Sequence, residues 1–233
     1  MVSRTKVLIL KYSPLARLFR LRYFSLNDLD KKLELYLDFD NGYFVELGAN
    51  DGVNQSNTLY FERFRGWSGV LIEPHLSNFE ALIKNRSANN YFKNSACVGP
   101  SYDGSTIELA YSNLMTSTLG IKSDVSNPID HANDGAVYWG GTTYVFHAPA
   151  STLNSILIEA GAPDHMDLLS LDVEGVELEV LKGIDHSRFR FRSICVESRN
   201  FQELSEYLEE FDYCYITSLS SHDYLFQNVQ VLK

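Results

Sequence analysis

The chain has 233 residues, of which 45% are hydrophobic, enough to bury the core of one domain but not of two. Its formal net charge is -10, so it lacks the basic surface with which proteins bind a phosphate backbone, and we expect no nucleic-acid partner. Three widely spaced cysteines in apolar runs argue against a disulfide framework or a zinc site and indicate a reducing, cytoplasmic compartment: Cys97, Cys195 and Cys214.

Residues 1–27 form a basic segment that carries lysine and arginine side chains and no acidic one. Its apolar run, residues 7–10, is too short to cross a membrane and is poor as the core of a signal peptide. We predict that it belongs to an N-terminal helical extension, residues 1–40, which packs through its leucines on the main domain, residues 41–233. The alternative is contact with a membrane surface or a partner.

Hydrophobic periodicity then predicts alternating helices and strands along most of the chain. Helices are predicted over residues 25–39, 55–64, 75–86, 152–160, 175–182 and 201–210. Strands are predicted over residues 43–47, 69–73, 91–97, 166–172 and 193–198, with a closing antiparallel hairpin over 213–218 and 224–231. This alternation is typical of a doubly wound α/β fold with a mostly parallel sheet.

The segment 112–148 interrupts the pattern, because it shows no sustained period and is rich in Ser, Thr, Asn, Asp and Gly. A long loop is therefore predicted, and such loops in compact domains are usually functional or disordered. It also contains aromatic residues that a disordered segment would rarely carry: Tyr138, Trp139, Tyr144 and Phe146. We predict a substrate lid; the alternative is a surface insertion with its own aromatic cluster.

The loop after the first strand is predicted to hold a nucleotide-like cofactor. Gly48 and Gly52 can adopt positive φ and let the backbone approach a ligand, and the N–H groups that open a helix at about Gln55 can face an anion. Glu73 closes the next strand, where a ribose diol lies in doubly wound sheets. The glycine spacing is not Gly-x-Gly-x-x-Gly, which argues against a nicotinamide-dependent oxidoreductase.

Three carboxylates follow the last two predicted parallel strands. Asp172 and Glu174 come after one strand and Glu197 ends the next, so they would meet at the ligand-binding edge of the sheet. Such a cluster can raise the pKa of one carboxyl to make a general base, or can chelate a divalent cation. The alternative is that Glu174 only caps the next helix and that Glu197 pairs with Arg199 or Arg192.

Two histidines are competing candidates for the base. His147 lies at the end of the predicted lid and His222 in the hairpin turn, and both could approach the same edge. A single histidine is, however, more often structural or exposed than catalytic.

The chain carries four motifs in this order: Glu46-Leu-Gly-Ala-Asn-Asp-Gly52, Gln55-Ser-Asn-Thr-Leu59, Leu71-Ile-Glu-Pro74 and Leu171-Asp-Val-Glu-Gly-Val-Glu-Leu-Glu-Val-Leu-Lys-Gly183. Together they resemble the FkbM-type methyltransferases, a class I S-adenosylmethionine-dependent family. The resemblance implies a seven-stranded sheet with a reversed last strand, S-adenosylmethionine as methyl donor, and most often a hydroxyl of a sugar or natural product as acceptor. The predicted lid matches no motif of the family, so the resemblance does not identify the acceptor.

The resemblance also implies roles for the residues at the strand ends. Glu46 and the loop Asn50-Asp51-Gly52 would receive the amino-acid end of the donor, and Glu73 both ribose hydroxyls. Ser95 and Ala96 would flank the adenine, or are simply small strand residues. The full predicted cofactor-binding set is Glu46, Gly48, Asn50, Asp51, Gly52, Asn57, Glu73, Pro74, Ser95, Ala96 and Asp172.

An alcohol needs a base or a metal to remove its proton before it can attack the donor methyl group. We therefore predict an O-methyltransferase that acts on a sugar or glycan hydroxyl, with Asp172, Glu174 and Glu197 as catalytic residues and a divalent metal as an open option. The alternatives are a Rossmann-type NAD-dependent oxidoreductase and a non-catalytic module that binds a partner or glycan. Carboxylates at three strand ends favour a working cofactor site, since a pure scaffold does not need them.

Overall fold

A seven-stranded sheet forms the centre of the computed structural model, which describes residues 22–230. The strands are, in chain order, β1 (Tyr43–Leu47), β2 (Ser68–Ile72), β3 (Tyr91–Lys93), β4 (Ala96–Cys97), β5 (Thr106–Tyr111), β6 (Ser117–Thr118), β7 (Tyr144–Ser151), β8 (His165–Leu171), β9 (Arg190–Glu197), β10 (Tyr213–Ser218) and β11 (Asp223–Asn228). The α-helices are α1 (Leu29–Glu34), α2 (Leu59–Arg65), α3 (Leu76–Asn85), α4 (Pro128–Trp139), α5 (Leu153–Glu159), α6 (Glu177–Lys182) and α7 (Phe201–Glu209). Short 3-10 helices cover Leu26–Asp28 and Asn113–Met115.

The large sheet has the order β10-β11-β9-β8-β1-β2-β3. Five of its strands run parallel to their neighbours, whereas β11 runs antiparallel to both β9 and β10. This arrangement confirms the predicted doubly wound, mostly parallel seven-stranded sheet with a reversed last strand. The chain order changes direction at β1, which lies between β2 and β8, and ligands bind at such switch points beyond the carboxyl ends of the strands.

Helices cover both faces of this sheet because each central strand is apolar on both sides. Successive residues of β1, Phe44 and Val45, point into different hydrophobic layers. Helices α5, α6 and α7 pack on the Val45 side, and α1, α2 and α3 pack on the Phe44 side. Parallel strands buried on both faces read as continuous apolar runs, which is why the sequence pattern revealed them.

The predicted strand 91–97 is wrong in one respect, since it forms two short strands in two different sheets. The first part, β3, pairs with β2, and the second part, β4, pairs with β7 in a four-stranded sheet of order β4-β7-β5-β6. The break follows from Asn94, whose side-chain amide donates to the carbonyl oxygens of Glu73 and Pro74, each at 2.9 Å. These bonds turn the chain away from β2.

Most of segment 112–148, predicted as a long loop, has regular structure, so that prediction is wrong. It contains α4, β6 and the first part of β7, and we call the surrounding residues 99–151 the insertion. Helix α4 is capped by Asn127, whose side chain accepts the N–H groups of Ile129 and Asp130, and Pro128 occupies the first turn. Its exposed face carries apolar side chains such as that of Val137, so apolar residues do not mark one buried face of the helix.

The described part of the N-terminal extension packs on the domain. Leu29, Leu33 and Leu37 are buried in the layer that covers β1, although α1 is much shorter than the predicted helix 25–39. Residues 1–21 lie outside the described residues, so contact of the basic segment with a membrane or partner stays a prediction. Between residues 22 and 230, no helix is both long enough and apolar enough to span a membrane.

Candidate active site

A cavity of about 290 Å³ opens at the carboxyl edge of the large sheet, where the chain order changes direction. Nine of the predicted site residues line it: Gly48, Asn50, Glu73, Pro74, Ser95, Ala96, Asp172, Glu174 and Glu197. The insertion forms another wall through Asn113, Met115 and Tyr138, among others. Within the described part of the chain, the cavity lining does not include Glu46, Asp51, Gly52 or Asn57.

Gly48 lets the loop after β1 meet the loop after β8. Its φ is +74°, and a Cβ atom at this position would overlap the backbone carbonyl oxygen of Asp172. Only glycine combines this backbone conformation with such a close approach. The predicted need for glycine here therefore has a geometric cause, because the two loops that form the cavity floor contact each other at this residue.

Glu73 lies at the end of β2 and is only 5% exposed. One carboxylate oxygen accepts the N–H of Asn50 and the other accepts the N–H of His75, both at 2.9 Å. Burial raises the pKa of Glu73 to about 7. A buried carboxyl that still faces the cavity is suited to accept hydrogen bonds from a diol.

The turn between β3 and β4 leaves room beside Glu73 because its side chains are small. Ser95 is fully buried, and its hydroxyl donates to the carbonyl oxygens of Ala96 and Pro149, each at 3.0 Å. Ala96 and Pro74 line the cavity on either side of this turn. The arrangement forms a slot next to Glu73 that could hold a flat ring.

Glu46 lies beneath the loop after β1 and not in the cavity lining. Its carboxylate forms a buried ion pair with Arg86 at 3.1 Å and accepts the N–H of Asn57 at 2.8 Å and the hydroxyl of Thr58 at 2.7 Å. The placement corrects the prediction that Glu46 contacts the cofactor directly. Its carboxylate stabilises the loop instead.

Three further predicted residues shape the same loop without lining the cavity. Asp51 accepts the N–H groups of Val53 and Asn54 at 2.9 and 2.7 Å, which forms a tight turn. Gly52 has φ +80°, and the side-chain amide of Asn57 donates to Ser170 at 3.0 Å. Helix α2 begins at Leu59, so the prediction that a helix opens at about Gln55 is wrong.

The three predicted catalytic carboxylates lie together, because β8 and β9 are neighbours whose carboxyl ends meet. Asp172, Glu174 and Glu197 each place a carboxylate oxygen within 4.8 Å of the others. Burial raises the pKa of Asp172 well above its ordinary value, and the nearby carboxylates of Glu197 and Glu174 raise it further. The pKa of Glu197 rises to about 7, mainly through burial and also through Glu174.

Two cationic or ionisable side chains contact this acid cluster. The Arg199 guanidinium lies 3.1 Å from Glu197 and 3.2 Å from Glu174, so the pairing offered as an alternative for Glu197 exists within the cluster. The Nε2 atom of His131 lies 2.7 Å from the same oxygen of Glu174. His131 belongs to α4, which the sequence analysis read as loop; the Asn127-Pro128 pair was the available signal for a helix there.

Glu177, and not Glu174, binds the backbone at the start of α6. Its buried carboxylate accepts the N–H groups of Val173 and Gly175 at 3.0 and 3.1 Å, and burial raises its pKa to about 8. Glu174 itself has φ +57°, a left-handed conformation that is uncommon for a side chain with a Cβ atom. The loop after β8 is thus bent so that Glu174 turns towards Asp172 and Glu197.

The prediction that one of two histidines is the base is wrong, because both lie away from the cavity. His147 is exposed on β7 and faces Glu108 at 3.5 Å, and His222 is exposed in the hairpin turn. Neither lines the cavity formed by the described residues. His75, which the sequence analysis did not select, places its Nε2 atom 2.7 Å from the hydroxyl of Tyr144 and packs on the Tyr111 ring.

The segment predicted as a lid contains both an aromatic cluster of its own and a side chain that lines the cavity. Tyr144 and Phe146 form a small aromatic cluster with Tyr111 around His75, whereas Tyr138 lines the cavity. The insertion therefore packs on the start of α3 through its aromatic side chains and also contributes to the cavity wall.

A family model described as "Methyltransferase FkbM domain" matches residues 46–220, a span that contains every strand end at the cavity. The chain belongs to the FkbM methyltransferase family. This result confirms the resemblance found in the four motifs, and the strand ends that surround the cavity lie within the matched span. The Rossmann-type oxidoreductase is therefore not the family of this protein.

A curated relative and a solved structure also match this FkbM-family chain. "Methyltransferase sdnD" from Sordaria araneosa is 26% identical over 208 residues, which cover 77% of this chain and 79% of that protein. The crystal structure of a fibrillarin/Nop5p complex matches with a TM-score of 0.40 and 12% identity, covering 88% of this chain and 81% of that one. The structural similarity is too low to carry an argument, and the fold rests on the strand order given above.

Proposed function

We propose that this FkbM-family methyltransferase uses S-adenosylmethionine to methylate a hydroxyl group of a sugar or glycan. The observation that carries the proposal is the position of the acid cluster, which shares one cavity with the Gly48 turn and with Glu73. A cofactor slot and a candidate base that lie in the same cavity are the two requirements of methyl transfer to an alcohol.

The cavity residues fit the donor. Glu73 offers a buried carboxylate for two ribose hydroxyls, and the turn at Ser95 and Ala96 offers a slot for a flat base. Asn50 and Asp172 line the cavity together with Gly48, where we expect the amino-acid part to bind. When bound, S-adenosylmethionine supplies an electrophilic methyl group on a positively charged sulfur.

Asp172 and Glu197 are the candidates for the base. A general base is most effective when its pKa lies near the operating pH, and the pKa of Glu197 rises to about 7 in this setting. Two close carboxyls share protons, so the pair can accept the proton of an acceptor hydroxyl while one member stays ionised. Arg199 supports the ionised form of Glu197, since it lies 3.1 Å away.

The remaining cavity wall suits a carbohydrate acceptor. Asn54, Gln55 and Asn113 bring amide groups that can bind hydroxyls, and Tyr138 brings a ring that can cover the apolar face of a sugar. Leu26 adds an apolar side chain to the same lining. The mixture of amides and rings is the one we would expect around a polar acceptor with apolar faces.

A divalent cation bound by Asp172, Glu174 and Glu197 is the competing way to activate the hydroxyl, because hard cations bind oxygen ligands at such spacings. Arg199 already places a positive charge beside two of the three carboxylates. We therefore expect turnover to survive exhaustive treatment with a chelator. Loss of turnover that is restored by added magnesium or manganese would assign the cluster to a metal instead.

The first test is calorimetric titration of the full chain with S-adenosylhomocysteine, with NAD as the control ligand. Saturable binding of S-adenosylhomocysteine alone supports the donor site, whereas no binding of either compound would favour the non-catalytic module. Methyl-labelled S-adenosylmethionine is then offered to a panel of neutral methyl hexosides, with amines and carboxylic acids of similar size as controls. Label found on the amines and absent from the hexosides would refute a hydroxyl acceptor.

The role of the base is tested with Asp172→Asn. The variant keeps the size of the side chain but removes its ability to accept a proton, so we expect turnover to fall by about 10²–10⁴-fold. The matched control is Asp164→Asn. Asp164 precedes the first residue of β8, at the end remote from the cavity, and forms an exposed ion pair with Arg188. Full turnover by Asp172→Asn with normal cofactor binding would exclude Asp172 as the base.

A further inference from the structure

Two separate loops carry the acid cluster, and both meet one residue of the insertion. The loop after β8 contributes Asp172 and Glu174, and the second segment, which consists of the last residue of β9 and the loop after it, contributes Glu197 and Arg199. Neighbouring strands fix where these loops begin, but they do not fix the loops themselves. The N–H of Ser198 donates to the carbonyl oxygen of His222 at 2.9 Å, which ties the second loop to the hairpin turn. The ion pair of Arg199 with Glu174 joins the two loops directly, and a residue of the insertion adds a second connection.

Asp124 makes that contact with its backbone and its side chain. Its N–H donates to the carbonyl oxygen of Gly175 at 2.8 Å, which binds the first loop. One of its carboxylate oxygens accepts the N–H of Arg199 at 2.7 Å and the hydroxyl of Ser198 at 3.1 Å, which binds the second loop. A single residue of the insertion therefore bridges both loops.

The bridge lies in a partly desolvated place, where such bonds are stronger than at a surface. The Asp124 side chain is 16% exposed, and Arg199 adds a second contact through its guanidinium at 3.8 Å. Hydrogen bonds to an ionised acceptor are about twice as strong as neutral ones. The carboxylate of Asp124 can thus hold the backbone of Arg199 against thermal motion of the loop.

The first loop needs an external hold because its backbone is strained. Glu174 has φ +57° and Gly175 has φ +112°, and a Cβ atom at Gly175 would overlap the hydroxyl of Ser123. A left-handed conformation costs about 1–2 kcal/mol for a residue with a side chain and persists only where the surroundings impose it. Glu177 holds this loop from the side of α6, and Asp124 holds it from the side of the insertion.

We propose that Asp124 is a positioning residue, which sets the separation between the Asp172–Glu174 loop and the Glu197–Arg199 loop and thereby the geometry of the acid cluster. The insertion accordingly takes part in building the active site and does more than cover it. The catalytic part of this inference rests on the proposed function, which assigns proton removal to the cluster. The structural part of the inference, that Asp124 joins the two loops, is independent of the proposed function.

The test compares Asp124→Ala and Asp124→Asn in the full chain. The alanine loses the carboxylate that binds Ser198 and Arg199, whereas the asparagine keeps an acceptor oxygen and should recover most of the function. We expect kcat with the best hexoside of the panel to fall at least 10-fold in Asp124→Ala, while the Kd for S-adenosylhomocysteine changes less than 2-fold. Asp134→Ala, at an exposed acid on α4, is the matched control and should change neither quantity.

A second readout does not depend on turnover. Hydrogen exchange with S-adenosylhomocysteine present should be faster in Asp124→Ala than in Asp134→Ala for peptides that cover residues 172–176 and 197–200, and similar elsewhere. Unchanged exchange in both peptides would overturn the inference. If the wild-type chain transfers no methyl group, the proposed function fails, while the exchange experiment still decides whether Asp124 joins the loops.

Discussion

Substitution of Arg86 gives the largest change in stability that we expect from the cofactor loop. Its side chain has no exposed surface and contacts Glu46 at 3.1 Å, Glu62 at 2.8 Å and Thr58 at 2.9 Å. In Arg86→Met these two buried carboxylates lose their cation while the hydrophobic volume is kept. Removing one partner of a buried ion pair costs about 3–5 kcal/mol because the remaining charge stays desolvated.

The corresponding fall in melting temperature follows from the size of the chain. Domains of about 150–250 residues lose about 2–4 °C per kcal/mol, so Arg86→Met should melt about 6–20 °C below the wild type. Differential scanning calorimetry without ligand measures this change. Arg188→Met is the matched control, since Arg188 pairs with Asp164 at the surface with half-exposed side chains and should cost at most about 1 kcal/mol.

The double variant Glu46→Gln/Arg86→Met separates charge from packing. It removes one of the two stranded carboxylates, so it should regain part of the stability that Arg86→Met loses. If Arg86→Met melts no lower than Arg188→Met, the buried network does not stabilise the loop. The correction of Glu46 from a cofactor ligand to a structural residue would then have no support.

Glu73→Ala should weaken the binding of S-adenosylhomocysteine at least about tenfold in calorimetry, because a hydrogen bond to a charged group contributes about 1.5–3 kcal/mol. Unchanged affinity would show that Glu73 does not bind the ribose. Gly48→Ala should lower the free energy of unfolding, measured with denaturant, by more than about 2 kcal/mol, because the new Cβ atom adds an overlap to the backbone strain. The control is Gly161→Ala, at a glycine that also has positive φ but has open space around it, and it should lose less stability. Equal losses in the two variants would show that the contact between the loops is unimportant. Thermal stability without ligand should fall as the pH rises from about 5 to about 8.5. Burial raises the pKa values of Glu73, Glu177 and Glu197 to about 7, 8 and 7 in the folded chain. In this range the unfolded chain has already ionised these carboxyls while the folded chain still binds their protons, so rising pH favours unfolding. A flat or rising profile over that range would show that these carboxyls are not desolvated.

The sheet could be predicted because its strands are buried on both faces. Such strands are mostly apolar, so their ends are visible where Ile72 and Leu171 give way to acidic residues and Leu47 gives way to a glycine-containing loop. Parallel strands end at a common edge, and that rule alone placed Glu73 and Asp172 near one cavity. The reversed last strand was implied by the family resemblance, and the order of the strands was given by the tertiary structure, since periodicity does not contain it.

The insertion could not be predicted, because its structure depends on partners elsewhere in the chain. Helix α4 exposes apolar side chains such as that of Val137, so its sequence shows no clear buried face, and it is held by contacts such as that of His131 with Glu174. Strand β7 pairs with β5, and β4 reaches the same sheet only after Asn94 has turned the chain. The Asn127-Pro128 pair signals the start of α4, but none of these contacts has a local signal, so the roles of His131 and Asp124 were missed.

Local sequence determined which residues could take part in the site, and tertiary structure decided what each of them does. Glu46 and Glu73 both stand at or near the end of an apolar strand, and nothing in their neighbours in sequence tells them apart. Arg86 lies beneath Glu46 and neutralises it, whereas Glu73 is held by uncharged donors, the backbone N–H groups of Asn50 and His75 and the Asn78 side chain, and faces the cavity. The physical reason is that the cost of a buried carboxylate depends on which charges surround it in space, and those come from segments remote in the chain.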